Sequence, residues 1–288
     1  MTPVRWLLTG AGGMVGRDLG DALRSRGEDL VACTHEDLDI TTPRMINAVV
    51  EETRPAIIVN CAAYTKVDAA EENEGIANAV NGSAVEFLAY AADAAGALLV
   101  QISTDFVFDG AKRIPYEIND QTNPCSVYGR SKLLGEFAAS HAEKHLVIRT
   151  SWLFGVHGPN FVEAIRNQIL KGTTPLRVVN DQRGRPTYTP HLANAIIRSA
   201  RLAHDSPDAR GMLHYADEGE CTWFDFAKAI VEESGATTDV RPVTTDEFPR
   251  PATRPPYSVL STERYERITG VQPESWREGL REYLAARG

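Results

Sequence analysis

The chain has 288 residues, 43% of them hydrophobic and 24% charged, enough for a large core in a main domain with a smaller lobe. Its net charge of −9 leaves no basic field for nucleic acid or an anionic membrane, so any phosphate must be held locally, by a backbone loop or a few basic side chains. Cys33, Cys61, Cys125 and Cys221 stand far apart without C-x-x-C spacing, which fits a reducing compartment and argues against a cysteine-based zinc site. His141 and His145 lie one helical turn apart without the acid of a metal motif, so they read as a solvated helix end and no metal site is expected. MTPVRWLLTG reaches glycine too soon for a signal peptide. The longest apolar candidate, Ala84 to Val100, is broken by Glu86, Asp93 and Gly96, short of the roughly 20 residues that span a bilayer. The expectation is a cytoplasmic protein.

In chain order, VRWLLTG reads as a buried strand and GRDLGDALRSRG as an amphipathic helix stopped by Gly27. DLVAC is a second strand, and the next helix takes Thr42 as its N-cap and Pro43 as its first helical residue. AIIVNCAA is a third strand, Val67 to Ala95 is mostly helical, and ALLVQIST and HLVIRTS are two further strands around the helix of YGRSK. Apolar strands without polar alternation, separated by helices, indicate a doubly wound parallel α/β sheet covered on both faces. Residues 1–151 form the expected dinucleotide-binding domain. Residues 152–288 form mainly a smaller α/β lobe, with segments near 176–203 and 211–216 returning to the main sheet.

TGAGGMVGR joins the first strand to the first helix and sets Gly10, Gly13 and Gly16 in G-x-x-G-x-x-G spacing, with Gly12, Met14 and Val15 between them. Glycines allow a tight turn and a close backbone approach to a pyrophosphate, and the helix N-terminus adds free N–H groups. That placement predicts dinucleotide binding. At the second strand's tip, VACTHED offers Cys33, Thr34 and His35 first, with Glu36 and Asp37 just beyond reach, while Arg17 stands where a 2′-phosphate would lie. The cofactor expected is NADPH, with NADH tolerated.

Tyr128 and Lys132 in SVYGRSKLL fall one turn apart on one helix face. Together with the glycine turn and Ser103-Thr104-Asp105, this Y-x-x-x-K pair resembles the extended short-chain dehydrogenase/reductase family. VNCAAYTKVDAAE, STDFVFDG, NPCSVYGRSKLLGE, IRTSWLFG, NDQRGRPT and RPPYSVLST resemble its branch that reduces dTDP-4-dehydro-L-rhamnose to dTDP-L-rhamnose. The resemblance implies a Rossmann-like fold and a nucleotide-sugar substrate. Tyr128 is then the proton donor, Lys132 lowers the phenol's pKa and holds the nicotinamide ribose, and Thr104 hydrogen-bonds the substrate carbonyl. It also implies cofactor contacts at Asp39, Ile40, Ala62, Ala63, Tyr64 and Ser103, and substrate contacts at Asp105, Trp152, Asp181, Gln182 and Arg254. Arg183, Arg185 and Arg254 are the expected cations for the diphosphate. A magnesium ion and a homodimer are compatible with the sequence, although no motif carries either.

Two other readings stay open on the motifs. A regulatory subunit of methionine adenosyltransferase resembles the same branch and binds a dinucleotide without needing catalysis. A nucleotide-sugar epimerase would use the same tyrosine, whereas a dehydratase needs an acid pair where this chain has Asp105 followed by Phe106.

Overall fold

The computed structural model describes residues 4–287, so residues 1–3 and 288, at the outer ends of the two expected spans, lie outside the described residues. Six strands form one parallel sheet: Arg5–Thr9, Asp29–Cys33, Ile57–Asn60, Leu98–Thr104, His145–Thr150 and Gly211–His214. Counted in chain order, they lie across the sheet as 2-1-3-4-5-6. The chain leaves the first strand for one side and the third strand takes the other, so a crevice opens between the carboxyl ends of the first and third strands.

Both faces of the sheet are buried, which is why its strands lack polar alternation. Trp6, Leu8, Val59 and Val100 pack on one face with Leu19, Leu23, Leu192 and Ile196. Leu7, Ile58, Leu99 and Val147 pack on the other with Ile46, Val85, Leu88 and Ala92. The helix Thr189–Asp205 therefore returns to the sheet, and Gly211–His214 pairs in parallel with the fifth strand.

The segment Leu176–Val179 does not return to it. It pairs in parallel with Val240–Val243 in a separate two-stranded sheet. Its alternate residues Leu176 and Val178 are buried while Arg177 is exposed, the pattern of a strand covered on one face. Those two side chains join a second core around Phe154, Phe226, Trp276 and Tyr283. Val67 to Ala95 is mostly helical, as expected, in the pieces Val67–Ala70, Glu74–Asn78, a π turn at Ala79–Ser83 and Ala84–Ala95. Among the described residues no helix is long and apolar enough to cross a membrane.

Candidate active site

The glycine turn is shaped by contacts that a side chain would prevent. Gly10 has φ +66°, and a Cβ there would lie 2.4 Å from the Ala62 nitrogen, so only glycine lets the turn meet the loop after the third strand. A Cβ on Gly16 would lie 2.2 Å from the Gly10 carbonyl oxygen. Gly13 opens the helix Met14–Ser25 without a side-chain cap, leaving its first N–H groups available to an anion. These features fit a dinucleotide pyrophosphate. Val15 packs on the core behind the turn, and Arg17 donates to the Gly12 carbonyl at 3.1 Å while staying exposed.

The second strand's tip is held by its own side chains. Asp37 folds back, so that its Oδ2 accepts from the Thr34 amide at 2.8 Å and the Thr34 hydroxyl at 2.7 Å. Those hydrogen bonds hold its carboxyl below the usual range. Asp39 is a turn-former, accepting from the amide and hydroxyl of Thr41, and Ile40 is buried in the core.

After the third strand, Ala62 and Ala63 pass beside the glycine turn with their small side chains half-buried. The π turn supplies a clamp that local sequence did not announce. Asn81 accepts from the Tyr64 amide at 2.8 Å and donates to the Tyr64 carbonyl at 3.0 Å and the Ser131 hydroxyl at 2.9 Å. It thus ties the Ala62–Tyr64 loop to the helix Val127–Ala139. A Cβ at Gly135 would lie 2.1 Å from the Asn81 carbonyl oxygen, so the clamp also needs that glycine.

Thr104, Tyr128 and Lys132 converge at the end of the fourth strand. Ser126 caps the helix by accepting from the Gly129 amide, which brings Tyr128 into its first turn beside Thr104. Phe106 meets the Tyr128 ring edge-on at 5.6 Å. Lys132 is 4% exposed and donates to the Ile102 carbonyl at 2.6 Å. Burial drives its pKa down to about 8, with Glu136 and Cys61 acting the other way. The expected lowering of the phenol by Lys132 is not what the structure has. Burial pushes Tyr128 up to about 12, Asp105 adds to the rise, and the Thr104 hydrogen bond opposes it. The ammonium is directed to the Ile102 carbonyl, and desolvation of the phenol prevails. Such a phenol rests protonated, the state a proton donor needs.

Ser103 and Asp105 lie behind this wall. Ser103 is 3% exposed and donates to Glu136 at 2.5 Å, and Glu136 also takes a bidentate pair from Arg149 at 2.8 and 2.7 Å. Asp105 is 1% exposed, off the cavity wall, and accepts from the Thr104 hydroxyl at 3.1 Å.

Phe106 leads from Tyr128 into a cavity of about 840 Å³, walled also by Asp68, Trp152, Gln182, Trp223, Arg250, Arg254 and Ser258. Trp152 has φ +47°, rare for a bulky residue, and stacks on Trp223 at 3.6 Å. A Cβ on Gly184 would lie 2.4 Å from the same indole, so both faces of Trp152 are covered and only its edge is free for a ligand. Gln182 accepts from the Trp223 indole at 3.2 Å and holds the pair.

The cations are distributed differently from the sequence reading. Arg254 lines the cavity but forms a bidentate pair with Asp68, at 2.6 and 2.9 Å. That pair keeps the Asp68 carboxyl below its usual range. Arg183 points into a second, 370 Å³ pocket with Asp181 and pairs with Glu220 at 3.2 Å. Arg185 turns inward to Thr262, and burial lowers its pKa. Asp181 accepts from the amide and hydroxyl of Thr245. Arg177 and Arg250 stand on the cavity wall instead, two residues that carried no motif.

A family model described as the RmlD substrate binding domain matches residues 4–287. A dTDP-4-dehydrorhamnose reductase of Streptomyces griseus is 42% identical over 289 residues, covering 98% of this chain and 93% of its own. A dTDP-4-keto-6-deoxy-D-glucose reductase of Streptomyces niveus is 41% identical over 281 residues, covering 96% and 95%. The crystal structure of a Bacillus anthracis dTDP-4-dehydrorhamnose reductase in complex with NADP matches with a TM-score of 0.93 at 36% identity, over 99% of this chain and 100% of that one.

Proposed function

The chain belongs to the RmlD substrate binding domain family, and on that footing we propose that it reduces dTDP-4-dehydro-L-rhamnose to dTDP-L-rhamnose with NADPH. The observation that carries this reading is the convergence of Thr104 and a protonated, buried Tyr128 against Phe106, which lines the 840 Å³ cavity, two strands across the sheet from the glycine turn. The six-stranded sheet with its covering helices is the dinucleotide-binding part, and the core around Phe154, Phe226 and Trp276 carries the sugar-nucleotide lobe.

NADPH, when bound, supplies hydride to the sugar's carbon 4. The turn Gly10 to Gly16 and the free N–H groups of its helix hold the pyrophosphate, and the Ala62–Tyr64 loop borders the nicotinamide half. Lys132 holds the ribose hydroxyls from its seat on the Ile102 carbonyl. Tyr128 donates its proton to the sugar oxygen, and Thr104 orients that oxygen. Arg254 and Arg250 meet the diphosphate, while the Trp152 edge and Trp223 border the sugar and base. Arg17 and Asp37 flank the adenosine end with opposite charges, one suited to a 2′-phosphate and the other to a free ribose hydroxyl. NADH is therefore accepted as well as NADPH.

The test is oxidation of NADPH by the purified protein on addition of freshly generated dTDP-4-keto-6-deoxy-L-mannose, followed by absorbance. Substrate-dependent oxidation is expected. Its absence from protein that demonstrably binds NADPH would favour a non-catalytic dinucleotide-binding subunit. The Streptomyces niveus relative acts by name on a D-glucose derivative, so the same assay run with that 4-keto sugar separates the two sugar classes.

A further inference from the structure

The Thr104 hydroxyl has one hydrogen, and the structure gives it more than one claimant. Its Oγ1 lies 3.1 Å from Asp105 Oδ1, accepts the Phe106 amide at 3.2 Å, and rests against the Tyr128 phenol. A hydroxyl that donates to a carboxylate has no hydrogen left for a ketone, which is an acceptor only. Thr104 thus lacks the polarity its role requires while Asp105 is ionised.

Asp105 itself carries the second observation. It is 1% exposed, and its Oδ2 has no hydrogen-bond partner among the described residues. A buried carboxylate with one oxygen unpartnered is costly, whereas a neutral acid in the same place can donate to Thr104. We propose that Asp105 is a positioning residue whose proton decides which way Thr104 faces: the neutral acid donates to Thr104 Oγ1 and frees the Thr104 hydrogen for the substrate ketone. The inference rests on the reductase reading above, since the ketone is that reading's substrate. No bond of the sugar changes in this step; a proton on Asp105 only exchanges donor and acceptor roles with its neighbour.

The surroundings of Asp105 raise the pH at which it ionises. Burial pushes its carboxyl up to about 6, against the hydroxyls of Ser258 and Thr104 and the amides of Asp105 and Phe106. The cations on the elements around it are engaged elsewhere: Lys132 on Ile102, Arg149 on Glu136 and Arg254 on Asp68. Tyr128, on its flank, stays a phenol throughout this range. The sign follows: Thr104 donates to the ketone below the pKa of Asp105 and ceases to as the pH rises through it.

The experiment is kcat/KM for NADPH-dependent reduction from about pH 5 to pH 8 in the wild type, Asp105→Asn, Thr104→Val and Thr104→Ser. The wild type should lose about tenfold across the range, the scale of one net hydrogen bond. Asp105→Asn, whose amide donates permanently, should hold the acid-side rate across the range. Thr104→Val should be slow and flat, and Thr104→Ser should keep the wild-type fall. Should Asp105→Asn fail to fold, the contrast between Thr104→Val and Thr104→Ser decides. An undiminished fall in either Asp105→Asn or Thr104→Val, or a flat profile in an active wild type, overturns the inference alone. A wild type that binds NADPH yet reduces nothing at any pH overturns the reductase reading beneath it.

Discussion

The glycine turn is made by residues Gly10 to Gly16 pressed against Cys61 and Ala62, whereas the 840 Å³ cavity takes its walls from segments near 68, 106, 152, 177, 223 and 250. The first is backbone against backbone, with contacts that leave no room for a methyl group. The second is side chain against side chain, with two of its arginines already paired, Arg254 with Asp68 and Arg177 with Glu247, and with Gln182 held by the Trp223 indole. Steric sites fail abruptly, while paired electrostatic sites respond in steps and in either direction, because removing one partner changes what the other is free to do.

That contrast can be broken at several points. The largest effect should come from Gly16→Ala. Its methyl group would sit on the Gly10 carbonyl, backbone against backbone, so NADPH affinity should fall by more than about a hundredfold and stability by about 1–3 kcal/mol. Calorimetric titration with NADPH and a thermal melt measure both, and an affinity within threefold of wild type would mean the turn has slack that the structure does not show.

Tyr128→Phe should lower kcat by roughly a hundredfold or more, the scale of a positioned acid, while NADPH binding stays level. Activity within threefold of wild type would remove Tyr128 from proton transfer. Arg254→Ala should weaken dTDP binding by about 1.5 kcal/mol, the low end for a hydrogen bond to a charged group, because Asp68 competes for the same fork. NADPH binding should not move; equal weakening of both ligands would place Arg254 in support of the fold.

Asp68→Asn tests the competition directly and has the opposite sign. Removing the carboxylate frees the Arg254 fork, so dTDP should bind a few-fold tighter, by roughly 0.5–1 kcal/mol. Weaker binding would show that Asp68 aims the guanidinium and does not compete for it. The smallest effect belongs to Arg183→Ala. This arginine lines the other pocket and pairs with Glu220, so dTDP affinity should change by less than about 0.5 kcal/mol. A larger loss would restore the diphosphate role that its place in NDQRGRPT suggested.

What the sequence determined by itself was everything carried by local spacing. Strands buried on both faces appear as unbroken apolar runs such as AIIVN and ALLVQ, the glycine turn appears as three glycines at fixed intervals, and Tyr128 and Lys132 share a helix face because 3.6 residues make a turn. Tertiary structure decided whatever depends on a partner far away in the chain. Leu176–Val179 looks like any half-buried strand until Val240–Val243 is there to pair with it. Asn81 is an unremarked asparagine until the π turn aims it at Tyr64 and Ser131. An arginine near NDQRGRPT carries a charge wherever it stands, but its field reaches the cavity only if no carboxylate meets it first, and Glu220 meets Arg183. The direction of the Tyr128 pKa follows the same rule. A lysine four residues away lowers a phenol only when its ammonium points there; here the Ile102 carbonyl, 30 residues back in the chain, holds it, and burial sets the outcome.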